Sequence, residues 1–290
     1  MILKEEIQQI AAAKKLGMDI VEKDYILGWV LAGIHNHSAT KNSWIFKGGT
    51  CLKKCYFETY RFSEDLDFTY QGETRELSEK FYKNIFIEIG QWIYNNSGNE
   101  LPLQGIEFEA FTNKRNSTSI QGKLTYRGPI YRNLSITRLP RLKIDLTLDE
   151  PLVLEPQIKK VDHSYSDMLE EGKKILAYSY EELFAEKLRA LVQRLRPRDL
   201  YDVVHLFQQK DLTTNVHLIN QTLQKKCELR SVPFPKKELI ENHDNRRLLE
   251  SEWATQLRHQ MPYLPPFELF LDELGKVLDW VSTKKTTYKE

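Results

Sequence analysis

Hydrophobic residues in the first part of the chain recur at helical spacing. Residues 2–16 and 19–36 place apolar side chains three or four positions apart, which predicts two helices, with Asp19 as the N-cap of the second. The stretch "WIFKGG" (44–49) predicts a short strand that runs into a glycine turn, and "TCLKKCYF" (50–57) predicts a helix after it. The N-terminal region is therefore expected to combine helices with a short strand.

The central part of the chain changes to alternating apolar and polar positions. After a strand at "LDFTY" and a helix over 76–96, we predict four strands between residues 105 and 149, at "IEFEAF", "SIQGKLTYR", "NLSITR" and "RLKIDLTLDE". A polar linker is expected over 156–174, and helical spacing then continues to the end of the chain. This layout predicts an α+β fold, with a mixed sheet flanked by helices in 1–155 and an all-helical half in 156–290.

Composition narrows the class of protein without indicating a partner. The chain has 290 residues and a formal charge of +1, so no overall positive field favours nucleic acid. No apolar run reaches the roughly 20 residues of a membrane span, and the charged N-terminus lacks the apolar core of a signal peptide. Three cysteines form neither a disulfide framework nor a zinc-binding pattern. We therefore expect a cytoplasmic globular protein with no membrane partner.

The candidate chemistry begins with two aspartates one residue apart, Asp65 and Asp67. Side chains alternate between the two faces of a strand, so both carboxylates should project together while Leu66 and Phe68 enter the core. Neighbouring carboxylates repel each other unless a cation lies between them, and Mg²⁺ suits a few carboxylates plus water and phosphate. The pair predicts a metal site, and the alternative is a solvated pair of aspartates.

A glycine turn precedes the aspartate pair by about fifteen residues. Gly48 and Gly49 allow a phosphate to approach the backbone, and Thr50 is expected to begin a helix whose N-terminus attracts anions. Together the turn and the aspartates predict a pocket for a metal-bound triphosphate. Lys47 lies beside the turn and is assigned to phosphate binding, with a solvated surface charge as the alternative.

A third carboxylate lies on the last predicted strand. In "RLKIDLTLDE", Asp145 lies opposite a face of apolar residues. If this strand neighbours that of Asp65 and Asp67, the three carboxylates form a triad able to hold two metals about 3.5–4 Å apart. Asp149 shares the face of Asp145 but ranks lower because it lies at the strand end. The alternative for Asp145 is a solvated strand position.

Two further candidates lie in the helical half. Lys187 falls within the apolar stripe of Phe184, Leu188 and Leu191, where a lysine is costly to bury unless its ammonium meets an anion. The alternative is that Lys187 extends its ammonium to solvent. Asp199 follows a proline and could act as the N-cap of the next helix.

A basic stretch indicates a surface for nucleic acid. No Asp or Glu occurs between Ala110 and Ile144, and Tyr126 and Tyr131 lie among its cations. The positive residues of this stretch are Lys114, Arg115, Lys123, Arg127, Arg132, Arg138, Arg141 and Lys143. Cations that follow an RNA backbone, with tyrosines that stack on bases, would fit this composition, and charges scattered over a hairpin are the alternative. The residues assigned to RNA are Arg127, Arg132, Arg138 and Arg141.

These motifs resemble the nucleotidyltransferase superfamily of DNA polymerase β, which combines a strand, a glycine turn, a helix, a DxD strand and a later strand aspartate. More narrowly, "FKGGTCLKK…RFSEDLDF" resembles the AbiEii/AbiGii toxin family, which includes the MenT toxins. Three further stretches fit that family: "VEKDYILGWVL", "EELFAEKLRALVQRLRPRDLYDVVHL" and "PPFELFLDELGKVLDW". The resemblance spans nearly the whole chain and implies a nucleotidyltransferase-type sheet, with the helical domain contributing to the active site.

The resemblance also implies nucleotide-binding or catalytic roles for residues outside the aspartate triad. The residues that match the motifs of the family are Arg61, Ser63, Lys187, Arg198, Asp199 and Asp202. Ser63 and Lys187 are expected on phosphate, and Arg61 is expected there or in a structural ion pair. Asp199 matches the essential aspartate, and Asp202 is the second choice. Arg198 is expected to pair with one of these aspartates or with phosphate.

The expected activity is metal-dependent transfer of a nucleoside monophosphate from an NTP to an RNA acceptor, with tRNA as the expected class. Two Mg²⁺ ions, or Mn²⁺ as the alternative, would be held by the triad, with Asp145 deprotonating or orienting the attacking hydroxyl. The resemblance implies a toxin–antitoxin or phage-defence setting with a cognate antitoxin. The alternatives are a small-molecule, antibiotic-modifying nucleotidyltransferase, which needs an acidic pocket, and a non-catalytic nucleotide- or RNA-binding module, which would lack a carboxylate.

Overall fold

The computed structural model describes residues 1–58, 61–72, 78–112, 118–167, 169, 172–211 and 214–282. The chain divides into two compact units. The first consists of Met1–Glu150 and Pro156–Tyr178, and the second of Pro151–Glu155 and Ser179–Glu290. The sequence places the boundary after residue 155, whereas the first unit also takes in 156–178.

The first unit combines helices with one mixed sheet, as expected for an α+β fold. Its helices are α1 (Lys4–Lys14), α2 (Met18–Asn36), α3 (Gly48–Cys55) and α4 (Glu79–Ser97). Its strands are β1 (Trp44–Lys47), β2 (Asp65–Tyr70), β3 (Ile106–Thr112), β4 (Thr118–Thr125), β5 (Arg141–Thr147), β6 (Gln157–Val161) and β7 (Lys173–Ala177). The order across the sheet is β3-β4-β5-β2-β1-β7-β6.

The pairing of the strands places β2 at the centre of the site. It runs antiparallel to β1 and parallel to β5, and β5 runs antiparallel to β4. Leu66 and Phe68 of β2, like Ile144 and Leu146 of β5, are buried on the apolar face of the sheet. The polar residues that alternate with them therefore share the other face, because side chains of paired strands in register point the same way.

Three local predictions for the first unit are wrong. Two strands, β6 and β7, occupy much of the segment expected as a polar linker, and Lys173 of β7 is buried with its ammonium 3.9 Å from the ring centroid of Trp29. The stretch "NLSITR" contains a 3₁₀ turn over Ile136–Arg138 where a strand was expected. Gly17, and not Asp19, is the N-cap of α2. In the first two cases non-local packing overrides the local pattern.

The second unit is helical, as predicted. Its helices are α5 (Tyr180–Arg194), α6 (Pro197–Gln208), α7 (Val216–Leu229), α8 (Lys237–Glu241), α9 (Arg246–Ser251), α10 (Trp253–Leu257) and α11 (Phe267–Ser282). The buried carboxylate of Glu182 accepts hydrogen bonds from the backbone N–H groups of Val153 and Leu154, at 3.2 and 3.0 Å. Lys226 lies 2.7 Å from the same carboxylate. These contacts fasten residues 151–155 to the second unit.

No helix among the described residues could span a membrane. Within the ranges given above, none is both long enough and apolar enough to cross a bilayer.

Candidate active site

The three predicted carboxylates lie on adjacent strands. The pairing of β2 with β5 sets Asp67 opposite Asp145 and Asp65 opposite Lys143. Because neighbouring strands are about 4.8 Å apart, Asp145 is one strand away from both aspartates of β2. The neighbours of all three along their strands are buried, which leaves the three carboxylates on the polar face. The predicted adjacency of these two strands is confirmed.

Asp145 carries an unfavourable charge in this setting. Burial raises the pKa of its carboxyl above the ordinary value, and the charge of Asp65 adds to the rise. The ammonium of Lys47 and a hydrogen bond from Gln121 act in the opposite direction without cancelling it. A cation close to the three carboxylates would relieve this repulsion.

The three carboxylates are the type of ligand that a hard cation such as Mg²⁺ binds. Carboxylate oxygens are the ligands that Mg²⁺ prefers in proteins, and Asp65, Asp67 and Asp145 supply them from adjacent strands. No group of three or more His, Cys, Asp or Glu side chains converges on one metal-binding point among the described residues. Side-chain rotation would be needed to bring the oxygens together, and the metal site stays a prediction.

The glycine turn packs directly against the aspartate pair. Gly48 has a φ of +81°, and a Cβ atom added to it would lie 2.2 Å from Oδ2 of Asp67. A Cβ atom on Gly49 would lie 2.8 Å from Nη2 of Arg61 and 3.0 Å from Oγ of Ser63. Gly48 therefore requires glycine, because a positive φ is combined with close approach to Asp67, whereas the atoms nearest to Gly49 are side-chain ends that can shift.

Thr50 joins the glycine helix to the strand of the aspartates. Helix α3 begins at Gly48, two residues before the expected start at Thr50. The buried Thr50 hydroxyl donates a hydrogen bond to the backbone oxygen of Asp65, at 2.5 Å. This contact holds the N-terminus of α3 next to β2. The N–H groups of the first helical turn, which have no acceptor within the helix, therefore lie beside the carboxylates.

Arg61 and Ser63 lie beside the turn, and a lysine missed in the sequence supports their segment. Arg61 is buried, while Ser63 is half-buried. Glu64, between Ser63 and Asp65, accepts a hydrogen bond from Nζ of Lys23 on α2 at 2.6 Å. Lys23 lies in the stretch "VEKDYILGWVL", which resembles the toxin family, so a signal for its importance was present in the sequence.

Lys47 is held at the end of the site. Its Nζ lies 3.3 Å from Oε2 of Glu150 and 3.3 Å from Oγ1 of Thr147, and its backbone pairs with that of Asp67. The side chains of Lys47 and Glu150 are only 12% and 10% exposed, so the alternative of a solvated charge is wrong. Glu150 was missed in the sequence, although it ends the quoted strand "RLKIDLTLDE".

The candidates of the second unit form two internal ion pairs. Nζ of Lys187 on α5 lies 2.7 Å from Oδ2 of Asp202 on α6, which is fully buried. Lys187 therefore meets an anion, and the solvent-exposed alternative is wrong. Asp199 is also buried and accepts hydrogen bonds from Nε and Nη2 of Arg194, at 2.6 and 2.7 Å. It does not cap α6, whose N-cap is Arg196.

Arg198 is exposed on the surface of the second unit. The expected contacts of Lys187, Arg198, Asp199 and Asp202 with a nucleotide stay predictions.

The expected RNA-binding residues divide into internal and exposed ones. Arg127 donates to Oε2 of Glu100 at 2.8 Å and to the backbone oxygen of Leu134 at 2.6 Å, so it closes a loop of the first unit. Tyr126 is 1% exposed and cannot stack on a base, so the expectation is wrong for Tyr126, whereas it stays a prediction for the half-buried Tyr131. The exposed arginines of the group are Arg132, Arg138 and Arg141. Lys114 and Arg115 lie outside the described residues.

Comparison with known proteins agrees with the geometry. The sequence matches the family model described as "Nucleotidyl transferase AbiEii toxin, Type IV TA system" over residues 29–276. The fold is similar to that of MenT4, nucleotidyltransferase toxin Rv2826c from Mycobacterium tuberculosis H37Rv, with a TM-score of 0.65 and 17% identity over 99% of this chain and 91% of that chain. At this identity the structural similarity shows the fold alone. A search of curated proteins found no match.

Proposed function

Because the chain belongs to the AbiEii family of nucleotidyltransferase toxins, we propose that it transfers a nucleoside monophosphate from an NTP to an RNA acceptor, with tRNA as the expected class. The observation that carries this proposal is the register of β2 and β5, which sets Asp65, Asp67 and Asp145 side by side next to the Gly48 turn. A nucleotide-binding module without catalytic activity would not need this third carboxylate.

The glycine turn and its neighbours are proposed to hold the triphosphate. Gly48 and Gly49 leave no side chain between the backbone and an approaching phosphate, and the first N–H groups of α3 are donors for it. The hydroxyl of Ser63 and the guanidinium of Arg61 lie beside Gly49 and would add contacts to phosphate oxygens. The pyrophosphate leaving group would therefore remain on the side of β1 and α3.

The carboxylates are proposed to bind the metal ion and to act on the proton of the acceptor hydroxyl. Asp65, Asp67 and Asp145 would bind Mg²⁺, which when bound neutralises charge on the reacting phosphate and on the pyrophosphate. The acceptor hydroxyl oxygen forms a bond to the α-phosphorus, and the bond from that phosphorus to the bridging oxygen of pyrophosphate breaks. Asp145 would deprotonate or orient the attacking hydroxyl, because its strand register sets it beside Asp65 and Asp67.

An RNA acceptor is supported by charge on the first unit. The stretch from 111 to 143 contains no acidic residue, and Arg132, Arg138 and Arg141 are exposed. A small-molecule acceptor with positive charge would be repelled by such a surface, whereas a phosphate backbone would be attracted. A toxin family of this kind also implies an antitoxin partner for the chain.

Incubation of the protein with each labelled NTP and total RNA tests the proposal. We expect label to enter RNA in the presence of Mg²⁺, and Asp67→Asn to abolish the transfer while the fold stays intact, since the change removes charge without changing shape. Glu109→Gln is the matched control, because Glu109 is exposed on the same row of residues, which runs across β3, β4, β5 and β2.

Two results would contradict the proposal. Label that enters only a small molecule or a protein would refute RNA as the acceptor. Transfer at the wild-type rate by a correctly folded Asp67→Asn variant would refute the catalytic site.

A further inference from the structure

Two lysines face each other on the polar side of the sheet. Lys123 of β4 lies directly opposite Lys143 of β5, and both are exposed. Within the described part of the chain, neither side chain forms a hydrogen bond or an ion pair. Like charges directly opposite each other destabilise a sheet, so the contact between the two lysines opposes the favourable pairing of each lysine with a carboxylate on its other neighbouring strand. An anion placed between the two ammonium groups would remove the repulsion.

The pair lies next to the candidate active site. Lys143 is opposite Asp65 on β2, and Lys123 is opposite Glu107 on β3, so one row across the sheet contains a carboxylate, two lysines and a second carboxylate. With about 4.8 Å between strands, the backbones of Lys143 and Lys123 are roughly 5 and 10 Å from that of Asp65. A ligand bound by the pair would therefore adjoin the reacting groups.

The order of the strands separates this pair from the proposed triphosphate site. In the order across the sheet, β4-β5-β2-β1, the lysines lie on one side of β2, whereas the glycine turn follows β1 on the other side. In phosphoryl transfer the attacking and leaving oxygens lie roughly in line on opposite sides of the phosphorus. With pyrophosphate on the side of Gly48, an in-line attack directed across the strands brings the hydroxyl from the side of β5 and β4.

We propose that Lys123 and Lys143 form a subsite that binds a backbone phosphate of the RNA acceptor. This inference rests on the proposed function and adds to it the location and chemistry of the acceptor site. Ammonium groups act on phosphate as point charges and read no base, so the subsite positions the acceptor without selecting its sequence. Choice among RNA molecules must then come from other residues.

The chain contains a matched control for this pair. Lys160 of β6 lies directly opposite Lys174 of β7, and both are exposed. These strands are on the other side of β1 from the carboxylates, at the far end of the sheet. The variants K123Q/K143Q and K160Q/K174Q therefore remove the same charge from the same kind of cross-strand pair.

The test measures binding of fluorescently labelled total tRNA at a series of salt concentrations, without NTP. Each phosphate contact on single-stranded RNA contributes about 0.7 to the slope of log K against log salt, so K123Q/K143Q, which loses one such contact, should lower the slope by about 0.7. A fourfold rise in salt should thus cost the wild type about 2.6-fold more affinity than this variant. The salt slope of the control should match that of the wild type, and both variants should keep the wild-type fold, as measured by circular dichroism.

A parallel titration with NTP identifies the source of the phosphate. NTP affinity should be unchanged in K123Q/K143Q, and a loss of NTP affinity with unchanged tRNA binding would assign the pair to the triphosphate and overturn the inference. An unchanged tRNA salt slope, or an equal loss in the control, would also overturn it. If the wild type still labels RNA in these cases, the proposed function stands. A wild type that labels only a non-RNA acceptor refutes both.

Discussion

The contact between Gly48 and Asp67 leads to a quantitative prediction for Gly48→Ala. The added Cβ would lie 2.2 Å from Oδ2 of Asp67 and 3.0 Å from its Cβ, whereas ordinary contacts begin at 3.4 Å. The carboxylate must therefore retreat by about 1 Å, a displacement that costs on the order of 100-fold in the rate of a positioned reaction. The φ of +81° adds about 1–2 kcal/mol of backbone strain to the folded state.

Two other glycines separate the strain from the clash. Gly172 has a φ of +71°, but among the described residues an added Cβ there meets only Cε of Lys160, at 3.6 Å. Gly172→Ala should therefore lose about 1–2 kcal/mol of stability and keep full activity. Gly275 lies within α11, and no atom of the described residues is within 4 Å of an added Cβ. Gly275→Ala should gain about 0.5–1 kcal/mol, because alanine is the better helix former.

Urea unfolding followed by circular dichroism gives the stability of each variant, and the initial rate of nucleotide transfer gives the activity. Activity of Gly48→Ala within twofold of the wild type would refute the inference that Asp67 must stand against the turn. An equal loss of activity in Gly172→Ala would attribute the effect to strain alone.

Three further predictions concern stability. Lys187→Met should cost about 3–5 kcal/mol in urea unfolding, because it removes the ammonium that lies 2.7 Å from the fully buried carboxylate of Asp202, and a cost below about 1 kcal/mol would contradict the ion pair. Burial raises the pKa of Glu22 from 4.5 to about 7, so the folded state keeps the proton and the wild type loses stability as the pH rises through this window. Glu22→Gln cannot ionise and should gain up to about 3 kcal/mol relative to the wild type between pH 4.5 and 7, and a difference independent of pH would contradict this. Arg127→Ala should lower stability by about 1–3 kcal/mol because its carboxylate and carbonyl partners lose their donor, whereas the exposed Arg138→Ala should stay within about 0.5 kcal/mol, and equal values would contradict the loop-closing role.

The sequence alone determined the parts of the site that depend on neighbouring residues. Alternation along β2 was enough to place Asp65 and Asp67 on one face, because successive side chains of a strand point to opposite faces of the sheet. The two glycines were enough to predict that the strand gives way to a helix here, although the helix begins at Gly48 and not after both glycines. The family was also recognisable from these local motifs.

Contacts between distant segments were decided only by the tertiary structure. Asp145 could be proposed from its strand, but its place opposite Asp67 depends on the register of two strands far apart in the chain. Lys187 was expected to meet an anion, and only the packing of α5 against α6 made that anion Asp202. Arg127 was predicted to be an exposed, RNA-binding cation, because the sequence shows only that the residue is charged. In the folded loop its guanidinium instead donates to oxygens of Glu100 and Leu134.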